Sequence, residues 1–293
     1  MKYGICGLAL AAACAFPSLV RAQAKPTDVY VSVLDAKGGP VAGLAAADFR
    51  VREDGVTREV LKAAPATEPL SVALLIDDSQ ASTPATQMMR EAIEAFITAL
   101  AGKGEMAIVT FGERPTLVAD YTTDTKTLLA AGKRVFPRPS GGAYLMDAIV
   151  EVSHGFEKRR PARPVIAVLT IDDEVEFSNR DYQNVLGELA KGGAALHVVA
   201  LGTPSSSQNE EIRNRNQTIA IGTERTGGRR DNVLAFTAAA PRMKQLAAEL
   251  LNQYVVTYAR PETLIPPDKL EVTVTKPGLT ARARTRTGQA GAR

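Results

Sequence analysis

The sequence predicts an α/β fold: a doubly wound, mostly parallel, Rossmann-like sheet, with a small β-sandwich built from the N- and C-terminal segments. Two observations lead to this fold class. From Ser71 to about residue 253, continuous apolar runs alternate with amphipathic segments, as expected for parallel strands covered by helices on both faces. On either side of that region, apolar residues recur with period two, which is typical of half-exposed strands. Neither outer piece has enough strands to be stable alone, so we expect the two to pair.

The first 24 residues resemble a secretory signal peptide. Lys2 precedes an apolar stretch over about 5–16, and the sequence AQA at 22–24 supplies the small residues of a cleavage site. The apolar stretch is shorter than the roughly 20 residues that a membrane-spanning helix requires. We therefore expect an exported protein, periplasmic or secreted, whose mature chain begins at Lys25 and has no membrane span.

The composition argues against several functional classes. The apolar fraction of 45% and the charged fraction of 23% are ordinary for a soluble globular protein. The chain has 35 Lys and Arg against 32 Asp and Glu, and removal of Lys2 and Arg21 with the signal peptide leaves 33 against 32. Because its positive and negative charges nearly balance, we expect the mature chain to have no net electrostatic field that attracts nucleic acid or an anionic membrane. Both cysteines, Cys6 and Cys14, lie in the signal peptide, so the mature chain has no disulfide.

The N-terminal segment, 25–66, is predicted to be β structure. Apolar and polar residues alternate in DVYVSVLD, and a hairpin with Asp54-Gly55 at its turn follows. The proline-containing linker APATEPL separates this segment from the next one.

The α/β domain is predicted over 70–253. Its four buried strands are the apolar runs SVALLID, EMAIVTFG, PVIAVLTIDD and AALHVVALG. Helices are expected between them, the first with Thr83 as N-cap and Pro84 at the first position. Residues 204–232 are polar and are predicted to form an irregular surface loop, after which one more helix closes the domain.

The C-terminal segment, 254–286, returns to period two and is predicted to pack with the N-terminal one. Its arginines alternate along ARARTR, which indicates the solvent face of an edge strand. Residues 287–293 are expected to be a frayed tail.

Acidic and hydroxyl side chains follow the first buried strand in LLIDDSQAST, residues 74–83. Asp77 and Asp78 of this segment should lie near Asp172 and Asp173, which follow the third strand, because parallel strands end at the same edge of a sheet. Open α/β sheets bind their ligands at that edge. We therefore expect the functional site there.

Two enzyme designs also place acids at this position. A receiver-type phosphotransfer domain needs a phosphoacceptor Asp after a later strand, but the next strand here ends VTFGE. A dehalogenase-type phosphatase needs an acid two residues after its nucleophile, where this chain has Ser79 or Gln80. The only histidines are His154, expected to be exposed on a helix, and His197, expected within a strand. We predict that the protein is not an enzyme, and a metal-dependent hydrolase or phosphotransfer domain is the alternative.

Three segments at this edge resemble the von Willebrand factor A (VWFA) family, in particular exported VWFA-related proteins of the acidobacterial type. GGAYLMDAI at 141–149 is similar to the family's GGTxLxDAI, VLTIDDE at 168–174 to VLLTDG, and DDSQA at 77–81 to the adhesion motif DxSxS. DFRVREDG before the domain and LLNQYVVTYARP after it extend the resemblance over nearly the whole mature chain. The resemblance implies a VWA domain that binds another protein in adhesion or scaffolding.

The resemblance also implies a metal-ion-dependent adhesion site, which this chain keeps only in part. Asp77 and Ser79 match the motif, and Asp172 lies one place beyond the position of the later Asp. The remaining ligand positions carry side chains without oxygen, namely Ala81, Ala143 and Ile171. Mg²⁺ requires near-ideal octahedral oxygen ligands. We therefore predict a degenerate site with no cofactor, or at most weakly bound Mg²⁺ or Ca²⁺.

The simplest alternative gives these acids no ligand at all. In that interpretation they are solvated at the sheet rim, and Asp78 or Ser79 caps the following helix. A purely structural envelope component would fit it. For a partner-binding surface, the resemblance points to the loops 78–83, 140–144 and 172–180. Asp78, Ser82, Tyr144 and Asp173 are the predicted contacts with an unidentified protein partner.

Overall fold

The structure is a computed structural model that describes residues 24–139, 141–172, 175–204, 209–262 and 267–285. The predicted signal peptide, except for Ala24, the predicted tail at 287–293 and Asp173 lie outside these residues. The strands within the described residues are β1 (Ala24–Leu34), β2 (Phe49–Glu53), β3 (Val56–Arg58), β4 (Val60–Pro65), β5 (Leu70–Ile76), β6 (Gly104–Thr110), β7 (Thr116–Thr122), β8 (Arg163–Ile171), β9 (Ala195–Leu201), β10 (Arg230–Val233), β11 (Tyr254–Pro261), β12 (Leu270–Val274) and β13 (Thr280–Ala283). The α-helices are α1 (Thr86–Ala99), α2 (Thr125–Lys133), α3 (Leu145–Arg159), α4 (Tyr182–Gly192), α5 (Glu210–Thr226) and α6 (Ala239–Leu251).

A six-stranded sheet forms the centre of the protein, in the order β10-β9-β8-β5-β6-β7. All neighbouring strands are parallel except β7, which runs antiparallel to β6. One apolar cluster packs α1, α2 and α6 on one face, and a second packs α3, α4 and α5 on the other. This arrangement confirms the predicted doubly wound, mostly parallel α/β fold.

Two antiparallel sheets, β13-β1-β11-β4 and β12-β2-β3, form the second unit of the structure. Strands from both ends of the chain pair within each sheet, as predicted, and a third apolar cluster lies between them. Phe49 and Tyr254 pack edge to face there, with ring centroids 5.4 Å apart. At the predicted turn between β2 and β3, Asp54 and Gly55 both have positive φ, as a two-residue hairpin loop requires.

The prediction of an irregular loop over 204–232 is wrong. This region contains the 17-residue helix α5 and the edge strand β10. The side chain of Asn209 caps α5 by accepting a hydrogen bond from Ile212 N at 2.9 Å, and Gly227 ends the helix with φ of 78°. The buried face of α5 includes Thr218 and Gly222, so the usual aliphatic period is weak in the sequence.

The start of α1 also differs from the prediction. A short 3₁₀ helix, Gln80–Ala85, contains Pro84 and precedes α1. Thr83 therefore does not cap the α-helix, and its hydroxyl donates to Gln80 O at 2.6 Å. Among the described residues, no helix combines the length and hydropathy needed to cross a bilayer.

Two of the C-terminal arginines, Arg282 and Arg284, are not on a solvent face, and the third, Arg286, lies outside the described residues. Arg282 and Arg284 are half-buried on and just after β13, and burial lowers the pKa of both guanidinium groups. Arg284 donates a hydrogen bond to Gly193 O, and Thr285 N donates to Arg225 O at 3.0 Å. Although β13 is an edge strand of its sheet, the end of this strand packs against the α/β domain.

Candidate functional site

Asp77 follows β5 at the carboxyl edge of the central sheet and is 1% exposed. Its carboxylate accepts three hydrogen bonds, from Ser79 N at 3.0 Å, Thr170 Oγ1 at 2.9 Å and Ile171 N at 3.0 Å. The last two donors belong to β8, the neighbouring strand. Asp77 therefore joins the ends of two parallel strands from within the protein.

Asp78 is also buried, and the loop after α2 supplies its counter-ion. Gly112 N donates to Oδ1 at 2.6 Å, and Arg138 Nε donates to Oδ2 at 2.8 Å. The bond to Asp78 raises the pKa of Arg138. Gly112 is required here because a Cβ at that position would lie 2.5 Å from the carbonyl carbon of Asp78.

Asp172 follows β8 and is held by the polar strand β10. Arg230 Nη2 donates to Oδ1 at 2.6 Å, and Asn232 Nδ2 donates to Oδ2 at 3.1 Å. Asp172 is 1% exposed, and these two bonds occupy both oxygens of its buried carboxylate.

Arg215 of α5 lies beneath this edge and is fully buried. Its guanidinium donates to the carbonyl oxygens of Ile171 at 2.8 Å and Asp172 at 3.0 Å, and to Thr170 Oγ1 at 3.2 Å. Because Thr170 in turn donates to Asp77, the arginine is linked to the ends of β5 and β8 together.

The segment 175–178 packs along the start of α3. Ala143 N donates to Val175 O at 2.9 Å, and Phe177 N donates to Ala143 O at 2.7 Å, as in a parallel bridge. Ser178 Oγ accepts from Asp147 N at 3.1 Å. The N-cap residue of α3, Tyr144, makes no side-chain capping bond. Ser178 instead provides an acceptor for the Asp147 N–H, one of the N–H groups that have no partner within the helix.

Glu176 anchors this segment from below. The side chain is buried, Ser178 N donates to Oε1 at 3.0 Å, and a backbone hydrogen bond joins the carboxyl to Leu145. Burial raises the pKa of Glu176 to about 7, against the opposing effects of its hydrogen bonds and of Arg215.

The residues on either side of Glu176 point outward and form an apolar patch. Val175 and Phe177 are 49% and 52% exposed, and the Phe177 ring stacks on Tyr144 with centroids 6.0 Å apart. The ring lies directly over Gly142, where a Cβ would be 1.8 Å from Phe177 Cε2. We call Tyr144, Val175 and Phe177 the aromatic patch.

The residues at the adhesion-motif positions do not fit a magnesium site. One atom favours a ligand, because Ser79 Oγ is buried without a hydrogen-bond partner. Asp77 and Asp172, however, use both carboxylate oxygens for bonds within the protein. Ala81, Ala143 and Ile171 have no side-chain oxygen to offer. Within the described residues there is also no group of three or more His, Cys, Asp or Glu side chains placed to hold a metal ion.

The expectation that these acids are solvated at the rim is wrong. Asp77, Asp78 and Asp172 are each at most 3% exposed, because arginines and backbone amides replace water around them. The expected capping is also not observed, since the Ser79 side chain makes no cap bond to the 3₁₀ helix that it precedes.

Two of the predicted partner contacts are inaccessible. Asp78 and Ser82 are buried, and Ser82 Oγ donates to Ser79 O at 2.7 Å. Tyr144 is partly exposed in the aromatic patch. The fourth predicted contact, Asp173, lies outside the described residues. His154 is exposed on α3 and His197 is buried in β9, as expected.

Sequence reasoning missed Arg138 and Arg215, and it did not foresee that Arg230 would bind Asp172 or that Glu176 would be buried. The three arginines lie 43 to 60 residues along the chain from the acids that they contact. Arg215 and Arg230 also fall in the region predicted to be irregular. The cap signals of α5, an Asn before two glutamates and a Gly after the helix, are the clues that could have placed Arg215 on a helix.

This geometry defines an α/β domain with a buried acidic edge and an exposed loop surface above it. Residues 72–174 match the family model described as the von Willebrand factor type A domain. This part of the chain, about a third of its length, is thus similar to a von Willebrand factor type A domain. A search of curated protein sequences gives no significant match.

Solved structures resemble this chain at low sequence identity. Proximal thread matrix protein 1 from the mussel byssus is 12% identical with a TM-score of 0.50, over 64% of this chain and 50% of that protein, which supports the fold alone. This chain therefore covers half the length of the mussel protein. A von Willebrand factor type A protein from Catenulispora acidiphila has 13% identity and a TM-score of 0.47, over 89% and 72% of the two chains. The vWF domain of the type V pili tip protein Mfa5 from Porphyromonas gingivalis has 10% identity and a TM-score of 0.47, over 63% and 96%.

Proposed function

We propose that this protein binds another protein through the aromatic patch at the carboxyl edge of its sheet, without a bound metal and without catalysis. The single observation that carries the proposal is the exposure of Val175 and Phe177, each about half exposed, on a segment that is otherwise firmly held. Exposed apolar side chains grouped on one surface are typical of protein-binding sites. The match of residues 72–174 to the von Willebrand factor type A model is consistent with such a role.

The patch is preorganised, which favours binding because little order has to be gained on association. The Phe177 ring rests on Gly142, and backbone bonds hold its segment to Ala143 on both sides. Glu176 fixes the segment from the buried side. A partner would therefore meet a surface that is already formed.

Metal-independent binding is supported by the state of the acids. Both oxygens of Asp77 and Asp172 already accept hydrogen bonds within the protein. A degenerate adhesion site at Asp77, Ser79 and Asp172 therefore has a structural role in our proposal. The same bonds argue against the hydrolase alternative, since a catalytic carboxylate must be free to reach its substrate.

Site-specific photocrosslinking in the producing cells tests the proposal. Phe177 is replaced by p-benzoylphenylalanine, which keeps an aromatic ring at this position, and the cells are irradiated. We expect one adduct of discrete size, formed equally well with chelator and with Mg²⁺. Val56 in β3 is the matched control, because it is 54% exposed against 52% for Phe177 but lies in the other unit.

Competition shows whether the adduct reports binding at the patch. Added wild-type protein should suppress the adduct, whereas a Phe177→Asp variant should not. Equal adducts from positions 177 and 56, or an adduct that disappears with chelator, would contradict the proposal.

We also propose export, with cleavage after Ala24. The support is the signal-peptide pattern of residues 1–24. N-terminal sequencing of the protein recovered from the periplasm or medium should begin at Lys25, and recovery of the uncleaved chain from the cytoplasm would contradict this.

A further inference from the structure

Helices α1 and α2 lie side by side on one face of the central sheet, and a groove of about 180 Å³ runs between them. Gly132 allows the two helices to approach closely, because a Cβ at that position would lie 2.7 Å from Ile93 Cγ2. The floor of the groove is apolar and is formed by the side chains of Ile93, Ile97 and Leu129. The groove therefore offers apolar surface between two exposed helices.

The two walls of the groove carry opposite charges. On the α1 side, Glu91 and Glu94 line the groove and are exposed, and on the α2 side the exposed Lys133 lines it. In the part of the chain that the structure describes, none of these three side chains forms an ion pair. Their charges are therefore available to a molecule that covers the groove.

Arg90 adds its charge to the basic wall although it belongs to α1. Its guanidinium reaches across the end of the groove and donates to Val135 O, at 3.2 Å from Nε and 3.0 Å from Nη2. It also lies 3.9 Å from the centroid of the Phe136 ring, which is 59% exposed. Aromatic and arginine side chains of this kind are enriched where proteins associate.

A surface with one acidic and one basic wall is complementary to a second copy of itself. A two-fold axis that runs along the groove places α1 of each copy against α2 of the other, as in any isologous interface. Glu91 and Glu94 of one copy then face Lys133 of the second copy, and the same contact occurs twice. An axis that runs across the groove would instead place α1 against α1 and bring like charges together, which is unfavourable.

We propose that a second copy of this chain binds over the groove between α1 and α2, in a symmetric dimer held by these charges and by burial of the Phe136 ring. Because the groove is small, the dimer is weak and depends on the protein concentration. The groove shares no residue with the aromatic patch. The inference therefore goes beyond the proposed binding of another protein and does not depend on it.

Analytical ultracentrifugation of the purified protein tests this inference, from low micromolar to near-millimolar concentration. The charge reversals Glu94→Lys and Lys133→Glu each place like charges opposite one another in the dimer. When the two variants are mixed, a dimer with one copy of each has opposite charges at both contacts. Glu151→Lys and Lys158→Glu are the matched controls, because both residues are exposed on α3, which packs on the other face of the sheet.

We expect the wild type and the two α3 variants to dimerise with the same dissociation constant. Glu94→Lys and Lys133→Glu should each raise that constant about tenfold or more, because like charges then meet across the interface. The equimolar mixture of these two variants should return to within about threefold of the wild type. All four positions are exposed, so the circular dichroism spectra of the variants should match that of the wild type.

Three results would overturn the inference. One is a wild-type protein that stays monomeric at every concentration, which would leave the groove to a different protein. Another is a pair of groove variants that dimerise as well as the α3 controls. The third is a mixture of the groove variants that associates no better than either variant alone.

Discussion

Replacing Asp77 by Ala should destabilise the fold strongly even when no metal is present. In a metal site, this substitution removes a ligand, and its cost depends on the ion. Here it removes the acceptor of three buried hydrogen bonds, from Ser79 N, Thr170 Oγ1 and Ile171 N. The two origins of the loss therefore differ in their dependence on divalent cations.

The magnitude follows from the number of donors left unpaired. A buried donor without a partner costs about 1–3 kcal/mol, and water entering the space of the lost carboxylate offsets part of that. We expect a loss of about 3–5 kcal/mol for the three donors together. This is a large part of the stability of an ordinary domain, which is about 5–15 kcal/mol.

Urea unfolding followed by circular dichroism measures this loss, in chelator and again in Mg²⁺. Asp35→Ala is the control, because Asp35 also accepts two backbone hydrogen bonds but is exposed. Its loss should stay below about 1 kcal/mol. A loss at Asp77 that is below about 1 kcal/mol, or that is seen only with Mg²⁺, would refute the structural role given to this carboxylate.

Three further outcomes are expected. Gly142→Val should displace the Phe177 ring, because a Cβ at position 142 would lie 1.8 Å from it. We expect the photocrosslinked adduct from position 177 to fall several-fold. The free energy of unfolding, measured in urea, should fall by only about 1–2 kcal/mol. Burial raises the pKa of Glu176 to about 7 from 4.5, so the unfolded chain releases this proton first. The stability should then fall by about 3 kcal/mol as the pH rises through that window, and Glu176→Gln should abolish the fall. Burial lowers the pKa of His197 to about 4, so the unfolded chain binds the proton first as the pH drops below 6.5. The free energy of unfolding of the wild type should therefore fall by about 2 kcal/mol from pH 7 to pH 5 through this residue, and His197→Leu should abolish that part of the fall. In both pH series, a variant with the wild-type profile would contradict the reasoning.

The central strands are predictable because they are covered on both faces. Every residue of β5 is buried, so the sequence is one apolar run apart from Ser71. The edge strands β7 and β10, by contrast, read TLVADYT and RDNV. Each has a single neighbouring strand, and no apolar run is needed there.

The acids of the site are predictable from the sequence, but their surroundings are not. Strand ends place Asp77 and Asp172 at one edge, and this much follows from the parallel topology. Whether such acids face water, a metal or an arginine depends on side chains from distant segments. Arg215 in particular lies on a helix whose buried face contains Thr218 and Gly222, and neither marks a core position in a hydropathy pattern.

The acids of this edge are built into the fold by the charges that surround them. Arg215 and Arg230 lie beside Asp172 and Glu176, and Arg138 is paired with Asp78. A divalent cation entering this edge would meet carboxylates that are already neutralised and would have to displace an arginine first, leaving its charge buried and unpaired. Loss of a carboxylate would be equally costly, since it would strand buried amides and a guanidinium. The fold itself therefore needs these acidic residues, and an acid pair at the end of a parallel strand does not by itself indicate a metal.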